Sequence, residues 1–401
     1  MKKNGIIFIS FILVIICILT INIVSEALTG SKLFEYNLFL DKFLKTEVTS
    51  IVPPRTDICT QQNQLNIGNT SEPHLIQIKK YQEICRSKVT NTIMIFIDMP
   101  KDGKIAKESA LKISKILKEL NKVGISPIVI VEPITDWGLI DFNEFSTGFY
   151  DAWITEFFKT LKTENITKKE MGMWVPFPEA NLPLWNHSNT TPEVYSKVVN
   201  RYLKILKNNF PGTKTGILLN SSTYELDDFS WTSGDYVTLV PYVKYLDKEL
   251  VDSFGLQGLP WAPPSNNKES GSVLNASEFL SSKLAIEAAN ELGVKEIWLN
   301  TGTFGAKYTQ DSESTTLITP SIRLDILNAI LSEAEKIKKS GFEVTINLFS
   351  QDKSKSTEAT DWSYLDESFA GSAETESIFV KFVSLANSKD IKISLFDRLD
   401  K

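Results

Sequence analysis

Histidine and cysteine are scarce in this 401-residue chain, with two of the first and three of the second. A metal site built on imidazole and thiolate ligands has almost no material. A metal-dependent deacetylase or esterase, which would draw on His74 and His187, is disfavoured for the same reason. Long runs of one charge are also missing. The 43 basic and 49 acidic residues are interspersed and leave a net charge of −6. That speaks against nucleic acid as a partner, since phosphate binding needs a basic stripe. No Gly-rich phosphate loop follows an early strand, and no repeat with a period of about 20–50 residues is visible. Neither a metal nor a cofactor is expected.

What the chain does have is apolar residues, 42% of the total against 23% charged. That is enough for a full core, and single α/β barrels routinely exceed 250 residues. The most apolar stretch stands at the start. Lys2 and Lys3 precede an uncharged run over residues 5–24 rich in Ile, Leu, Val and Phe. About 20 such residues cross a bilayer as a helix, whereas a cleaved signal carries about 7–15. The length favours a retained anchor, while Ser25, Glu26 and Ala27 would serve as a cleavage site for a signal peptide. The lysines predict an inside N-terminus and an extracytoplasmic remainder. Cys17 lies within the apolar run and does not read as a lipidation site. Cys59 and Cys85 would, in an oxidising compartment, close a loop worth about 3 kcal/mol, or stand as two unrelated thiols. Glycosylation-type triplets at Asn165, Asn186, Asn189, Asn220 and Asn275 arise readily by chance in an Asn-rich chain.

Three regions follow: a transmembrane anchor or signal peptide over 1–24, a stalk and lead-in to the main domain over 25–87, and one domain over 88–400. In the last, apolar runs of strand type alternate with one-faced helices. The strands are expected at 93–99, 127–132, 171–177, 215–219, 253–258, 296–299 and 343–349. Ala106, Ala110, Ile113, Leu117 and Leu120 form one helix face. Tyr150, Trp153, Ile154, Phe157 and Leu161 form another, and Val194, Val198, Tyr202 and Ile205 a third, capped by Thr191 with Pro192 at its first position. Helices are also expected at 277–292 and 320–339, closed by Gly293 and Gly341. Seven strands with intervening helices fit a (β/α)8 TIM barrel better than an open sheet. An eighth strand, the first in order, would lie upstream of residue 92 and has no secure place in the sequence.

In such a barrel the chemistry sits at the C-terminal ends of the strands. The polar residues expected there are Asp98, Asp102, Glu132, Asp136, Glu179, Asn181, Asn300 and Asp352. The aromatic residues of the same segments are Trp137, Trp174, Phe177, Trp185, Trp261, Phe304, Phe349 and Trp362. Carboxylates beside aromatic platforms suit sugars, whose C–H faces stack on rings while their hydroxyls need polar partners. Glu179 stands out, because it ends a strand amid Trp174, Phe177 and Pro178. Apolar surroundings of that kind disfavour the ionised carboxylate, as a general acid requires.

Several segments resemble the family 26 glycoside hydrolases, the β-mannanases and their relatives. They are Val131, Glu132 and Pro133; the run from 145 to 154 that holds Asp151; and Pro176, Phe177, Pro178, Glu179, Ala180 and Asn181. Thr191 to 195, 233 to 237, the strand at 344–350 and Asp361 with Trp362 are also similar. The resemblance implies a clan A barrel acting on a β-linked polysaccharide, with Glu179 as acid/base and Asn181 beside it as a sugar or carboxylate partner. It places the nucleophilic Glu at the end of the seventh strand, where this chain has Asn300 before Thr301 and Gly302. The Arg and His that usually precede the acid/base are Val175 and Pro178 here, and Trp261 is the nearest aromatic to the family's Tyr after the sixth strand. The two hydrolytic routes need carboxyl pairs about 5–5.5 Å apart for retention and about 6.5–9.5 Å for inversion. Without the ordinary nucleophile, three routes stay open: inversion with Glu132 or Asp98 as base, assistance by a substrate acetamido group, and glycan binding without turnover.

Overall fold

Eight short, mostly apolar segments form parallel strands: β1 (Thr92–Asp98), β2 (Ser126–Glu132), β3 (Met173–Pro176), β4 (Lys214–Asn220), β5 (Ser253–Gln257), β6 (Glu296–Thr301), β7 (Glu343–Phe349) and β8 (Lys392–Phe396). The computed structural model describes residues 92–396 except 101, 123, 136–137, 183–190, 226–229, 234–236, 261–275, 303–306, 312–313, 318–319, 350–351, 354–359 and 362–372. Each strand pairs with its neighbours in sequence, and β8 returns to β1 to close the barrel.

Alternation along the strands divides the apolar residues into two sets. One set, with Ile95, Val131, Trp174, Leu219, Leu256 and Leu299 among its members, joins the core under the helices. The other fills the bore: Met94, Ile128, Ile130, Met173, Val175, Leu218 and Trp298. Trp298 fits because Gly255 faces it. A Cβ on Gly255 would come within 2.5 Å of the indole ring. The indole Nε1 donates to Ser253 Oγ at 3.3 Å, so the ring is satisfied as well as buried.

Six long helices occupy the connections: α1 (Gly103–Lys122), α2 (Asp151–Thr163), α3 (Pro192–Asn209), α4 (Ser282–Leu292), α5 (Pro320–Lys339) and α6 (Ala373–Ser388). The five apolar residues expected on α1 are all buried. Thr191 caps α3 by accepting from Val194 N. The buried face of α3 is turned from the expected one. Tyr195, Val198, Tyr202 and Leu206 are inside, while Val194 and Ile205 are only partly covered. The helix expected over 277–292 is broken, because Ser281 accepts from Leu284 N and starts a new helix there.

The strand count is the main correction. The eighth strand is not upstream of residue 92 but at the far end, Lys392–Phe396, after α6. Counted this way Glu179 follows the third strand and Asn300 lies in the sixth, still three strands apart. The seventh strand carries Asn347 at the matching level. The expected anchor, the stalk and both cysteines of the possible pair lie outside the described residues. No helix among the described residues is long and apolar enough to cross a membrane.

Candidate active site

Glu179 owes its place to two prolines. Pro176 and Pro178 have no N–H to give, so the ordinary ladder between β3 and β4 stops after Trp174 and Thr215. The N–H groups that follow each proline go to opposite sides instead: Phe177 N bonds Val131 O at 2.8 Å, and Glu179 N bonds Leu218 O at 2.8 Å. Both residues are held in the left-handed region, Phe177 at φ 53° and Glu179 at φ 55°. Among the described residues the other two non-glycine residues with positive φ are Asn165 and Asp390, types that tolerate it. For Phe and Glu the conformation costs about 1–3 kcal/mol each and persists only where surroundings fix it. The buried Phe177 ring is fixed by Phe142, Phe145 and Tyr202, with centroids at 5.4, 5.2 and 5.6 Å. Strain of this kind clusters at functional sites.

The Glu179 carboxyl is gripped by two amides. Asn220 Nδ2 donates to Oε1 at 2.5 Å and Gln257 Nε2 donates to the same oxygen at 2.7 Å. Asn220 Oδ1 meanwhile accepts from Ser222 N at 2.9 Å, which fixes the amide's orientation and aims its NH2 at Glu179. Because Asn220 is committed to Glu179, it is unsuited to carry a glycan.

Asn220 and Gln257 belong to a larger pattern. Asn220, Gln257, Asn300, Asn347 and Ser394 stand in register on five adjacent strands, β4 to β8. Alternation puts the four amides on the bore side with Leu218 and Trp298. Asn347 Nδ2 donates to Asn300 Oδ1 at 2.8 Å, and Asn300 Nδ2 reaches Met94 Sδ at 3.3 Å. The preceding strands end differently. Asp98 and Glu132 face each other in register at the ends of β1 and β2, on the bore side with Phe96 and Ile130, and Glu179 follows on β3. Glu132 is buried and Asp98 is half-buried.

Other expected site residues lie elsewhere. Trp174 was expected at the mouth, but it is fully buried and packs on Phe157 and Phe158 beneath the helices. Its indole donates to Met171 O at 2.9 Å. The reason is phase: Met173 and Val175 take the bore side of β3, so Trp174 must face outward. Asn181, expected as a sugar or carboxylate partner, bonds backbone. It is buried, giving Nδ2 to Asn220 O (2.8 Å) and Ser222 O (3.0 Å) and accepting from Asn220 N (2.9 Å). Asn300 is fully buried and tied to Met94 and Asn347, so it does not face Glu179 across an open mouth. Gln257, on the strand between them, makes the contact with Glu179. Asp352 falls in a two-residue strand paired with Asp361. Trp137, Trp185, Trp261 and Trp362 lie outside the described residues, as do Asp136 and Phe304. Asp102 caps the start of α1, accepting from Ile105 N at 2.8 Å.

A cavity of about 760 Å³ opens at the other end of the barrel, lined by Lys168, Lys169, Lys214, Lys392, Glu296 and the underside of Trp298 among others. It lies at the N-terminal ends of the strands, away from Glu179. The held carboxyl, not the larger hole, marks the candidate site, because barrel loops that carry chemistry follow the C-terminal ends. Among the described residues no group of His, Cys, Asp and Glu has the makings of a metal site.

This closed eight-stranded parallel barrel is of the kind seen in solved β-glycosidases. An exo-β-1,4-mannosidase from Opitutaceae bacterium strain TAV5 is similar with a TM-score of 0.50 and 14% identity, over 77% of this chain and 55% of that one. The apo structure of a β-glucosidase is similar with a TM-score of 0.50 and 12% identity, over 83% and 93%. A GH26 β-mannanase from Bacteroides ovatus is similar at 0.47 and 12%, over 78% and 83%, a likeness too low to carry an argument about family. At these identities the likeness concerns the fold alone. No family model and no curated protein matches the sequence.

Proposed function

We propose that the C-terminal face of the barrel is a β-glycan site in which Glu179 is the general acid of glycoside hydrolysis. The observation that carries the reading is placement: a strained turn after a barrel strand and two amide contacts fix where the carboxyl points, while the same two donors favour its charged form and so work against the proton it must carry. Since Oε1 already accepts from Asn220 and Gln257, the proton is carried on Oε2 and passes to the glycosidic oxygen as the bond to the anomeric carbon breaks. The described strands offer no carboxylate at this level on β4 to β7, so the second acid comes from the same side as Glu179. Asp98 is half-buried and two strands away. Two strand spacings are about 9.6 Å, near the range for inversion, about 6.5–9.5 Å. Water attacks the anomeric carbon from the opposite face and gives its proton to Asp98. Glu132 lies between the two. We place the protein outside the cytoplasm, held by or exported through its first 24 residues, with an envelope or external polysaccharide as substrate.

One observation favours a second reading, glycan binding without turnover: the position where the resemblance puts a nucleophile is a buried amide, Asn300. Incubating the chain with soluble β-mannan, β-galactan and β-glucan and measuring new reducing ends separates the two. Hydrolysis lost in Glu179→Gln supports the enzyme. Binding of one of these glycans with no new ends supports the second reading, and neither binding nor hydrolysis contradicts both.

A further inference from the structure

We propose that Asn181 is a positioning residue that sets the state of the Glu179 carboxyl through Asn220; this rests on the reading of Glu179 as the working acid. Beyond Trp174 and Thr215, β3 cannot continue pairing with β4, because Pro176 and Pro178 supply no donors. The Asn181 side chain takes over where the backbone stops. It exchanges N–H and C=O bonds with the backbone of Asn220 in both directions and bonds Ser222 O as well. It thus mimics the rung of a strand ladder using one carboxamide, and all three bonds fall on the segment that carries the Asn220 side chain.

The orientation at each step is forced. Asn181 meets two carbonyls with its NH2 and an N–H with its oxygen, so turning the amide over would set like against like. Asn220 accepts from Ser222 N, leaving only its NH2 to face Glu179. A bond donated to a carboxylate favours the charged form. Releasing Asn220 therefore raises the Glu179 midpoint, and releasing Asn181 does the same by freeing Asn220. Gln257 reaches Glu179 from β5 and is independent of Asn181. Asp98 and Glu132, the other titratable groups at this level on the described strands, remain in place throughout.

The test is a carbon-13 titration of the glutamate carboxyls in the full-length chain, with Glu179 identified as the signal missing from Glu179→Gln. Asn220→Ala is expected to raise the midpoint by about 1 unit, in line with loss of one donor to a charged oxygen. Asn181→Ala is expected to raise it by a similar amount, and the double variant no further than Asn220→Ala alone, because the two act on one path. Gln257→Ala is expected to add to either. A folded Asn181→Ala with an unmoved midpoint, or shifts for Asn181 and Asn220 that add, would overturn the relay. Should Asn181→Ala not fold, the unmodified chain serves: the side-chain NH2 signals of Asn220 and Asn181 are expected to move together at the Glu179 midpoint, and a static Asn181 signal contradicts the proposal. No glycan enters these measurements. A coupled titration in a chain that hydrolyses nothing defeats the proposed function and leaves the relay standing; an active chain with uncoupled titration does the reverse.

Discussion

The two halves of the barrel mouth are built to one plan with different end groups. On β1 and β2 an outward apolar residue is followed by an inward carboxylate, Ile97 by Asp98 and Val131 by Glu132. On β4 to β7 the same step ends in a carboxamide: Leu219 and Asn220, Leu256 and Gln257, Leu299 and Asn300, Ile346 and Asn347. Amide and acid side chains are nearly the same shape, so the barrel packs alike on both sides. They differ in chemistry. Carboxamides stay neutral and bond one another, as Asn347 does by donating to Asn300, or hold a neighbour, as Asn220 and Gln257 do. Carboxylates can take and give protons. The comparison teaches that one half holds and the other half reacts, with Glu179 at the seam.

The harshest way to break that division is to put an acid into the amide half. Asn300→Glu looks like the restoration of a nucleophile, and on shape alone a weak gain of hydrolysis is the natural expectation. Burial reverses it. The new carboxylate would sit with no exposure, against Met94 Sδ and the Asn347 amide. An uncompensated buried charge costs about 3–5 kcal/mol. Urea unfolding of this variant is expected to show that loss or no folded state, and a stable variant with new hydrolysis would refute the division.

Acting on the other half removes chemistry and leaves structure. Glu179→Gln keeps an oxygen to accept from Asn220 and Gln257 but has no proton to give, so turnover is expected to fall at least about 100-fold. Stability is expected to fall by no more than about 3 kcal/mol, the upper worth of a hydrogen bond to a charged group. A larger loss of stability would mean that the carboxylate is a structural anion.

Below the mouth the bore is indifferent to the division and depends on fit. Gly255→Ala would drive a methyl group into the Trp298 ring, for an expected cost of about 1–3 kcal/mol by thermal or urea melting. An unchanged midpoint would show that the indole moves aside easily.

The remaining effect is one of pH and concerns α3. Tyr195 and Tyr202 on α3 are buried, and burial pushes both phenols above their ordinary value of 10.0. Their contribution to stability is fully present below pH 10, the unfolded value, and is lost as pH rises toward the folded values. Each pH unit in that window is about 1.4 kcal/mol for each phenol. Absorbance at 295 nm should show these two ionising only as the chain unfolds; early ionisation of all 11 tyrosines would contradict their burial.

Much of the barrel was legible because its strands and helices obey their periods. The apolar face of α1 was read correctly residue by residue, and the β-branched run of β1 to within one residue at each end. The eighth strand escaped because Lys392–Phe396 is five residues long, begins with a lysine and follows the last segment that read as regular. Glu179 was legible as a strand-end acid beside prolines. The amide layer was not, although its signal was present in the repeated step from an apolar residue to Asn or Gln at four strand ends. Asn and Gln carry no charge to draw attention, and only register shows that the four stand side by side. Trp174 was misplaced because a tryptophan next to an acid looks like a sugar platform until the phase of Met173 and Val175 turns it outward.

The division of the mouth is tested most directly by the stereochemistry of cleavage. Proton NMR of the first sugar released from a β-linked oligosaccharide reads its anomeric configuration before mutarotation. With acid and base on one side and only amides on the other, the account predicts an α-configured first product, the mark of inversion. A β-configured first product would mean a covalent or acetamido-assisted intermediate in place of direct attack by water, and would contradict the account.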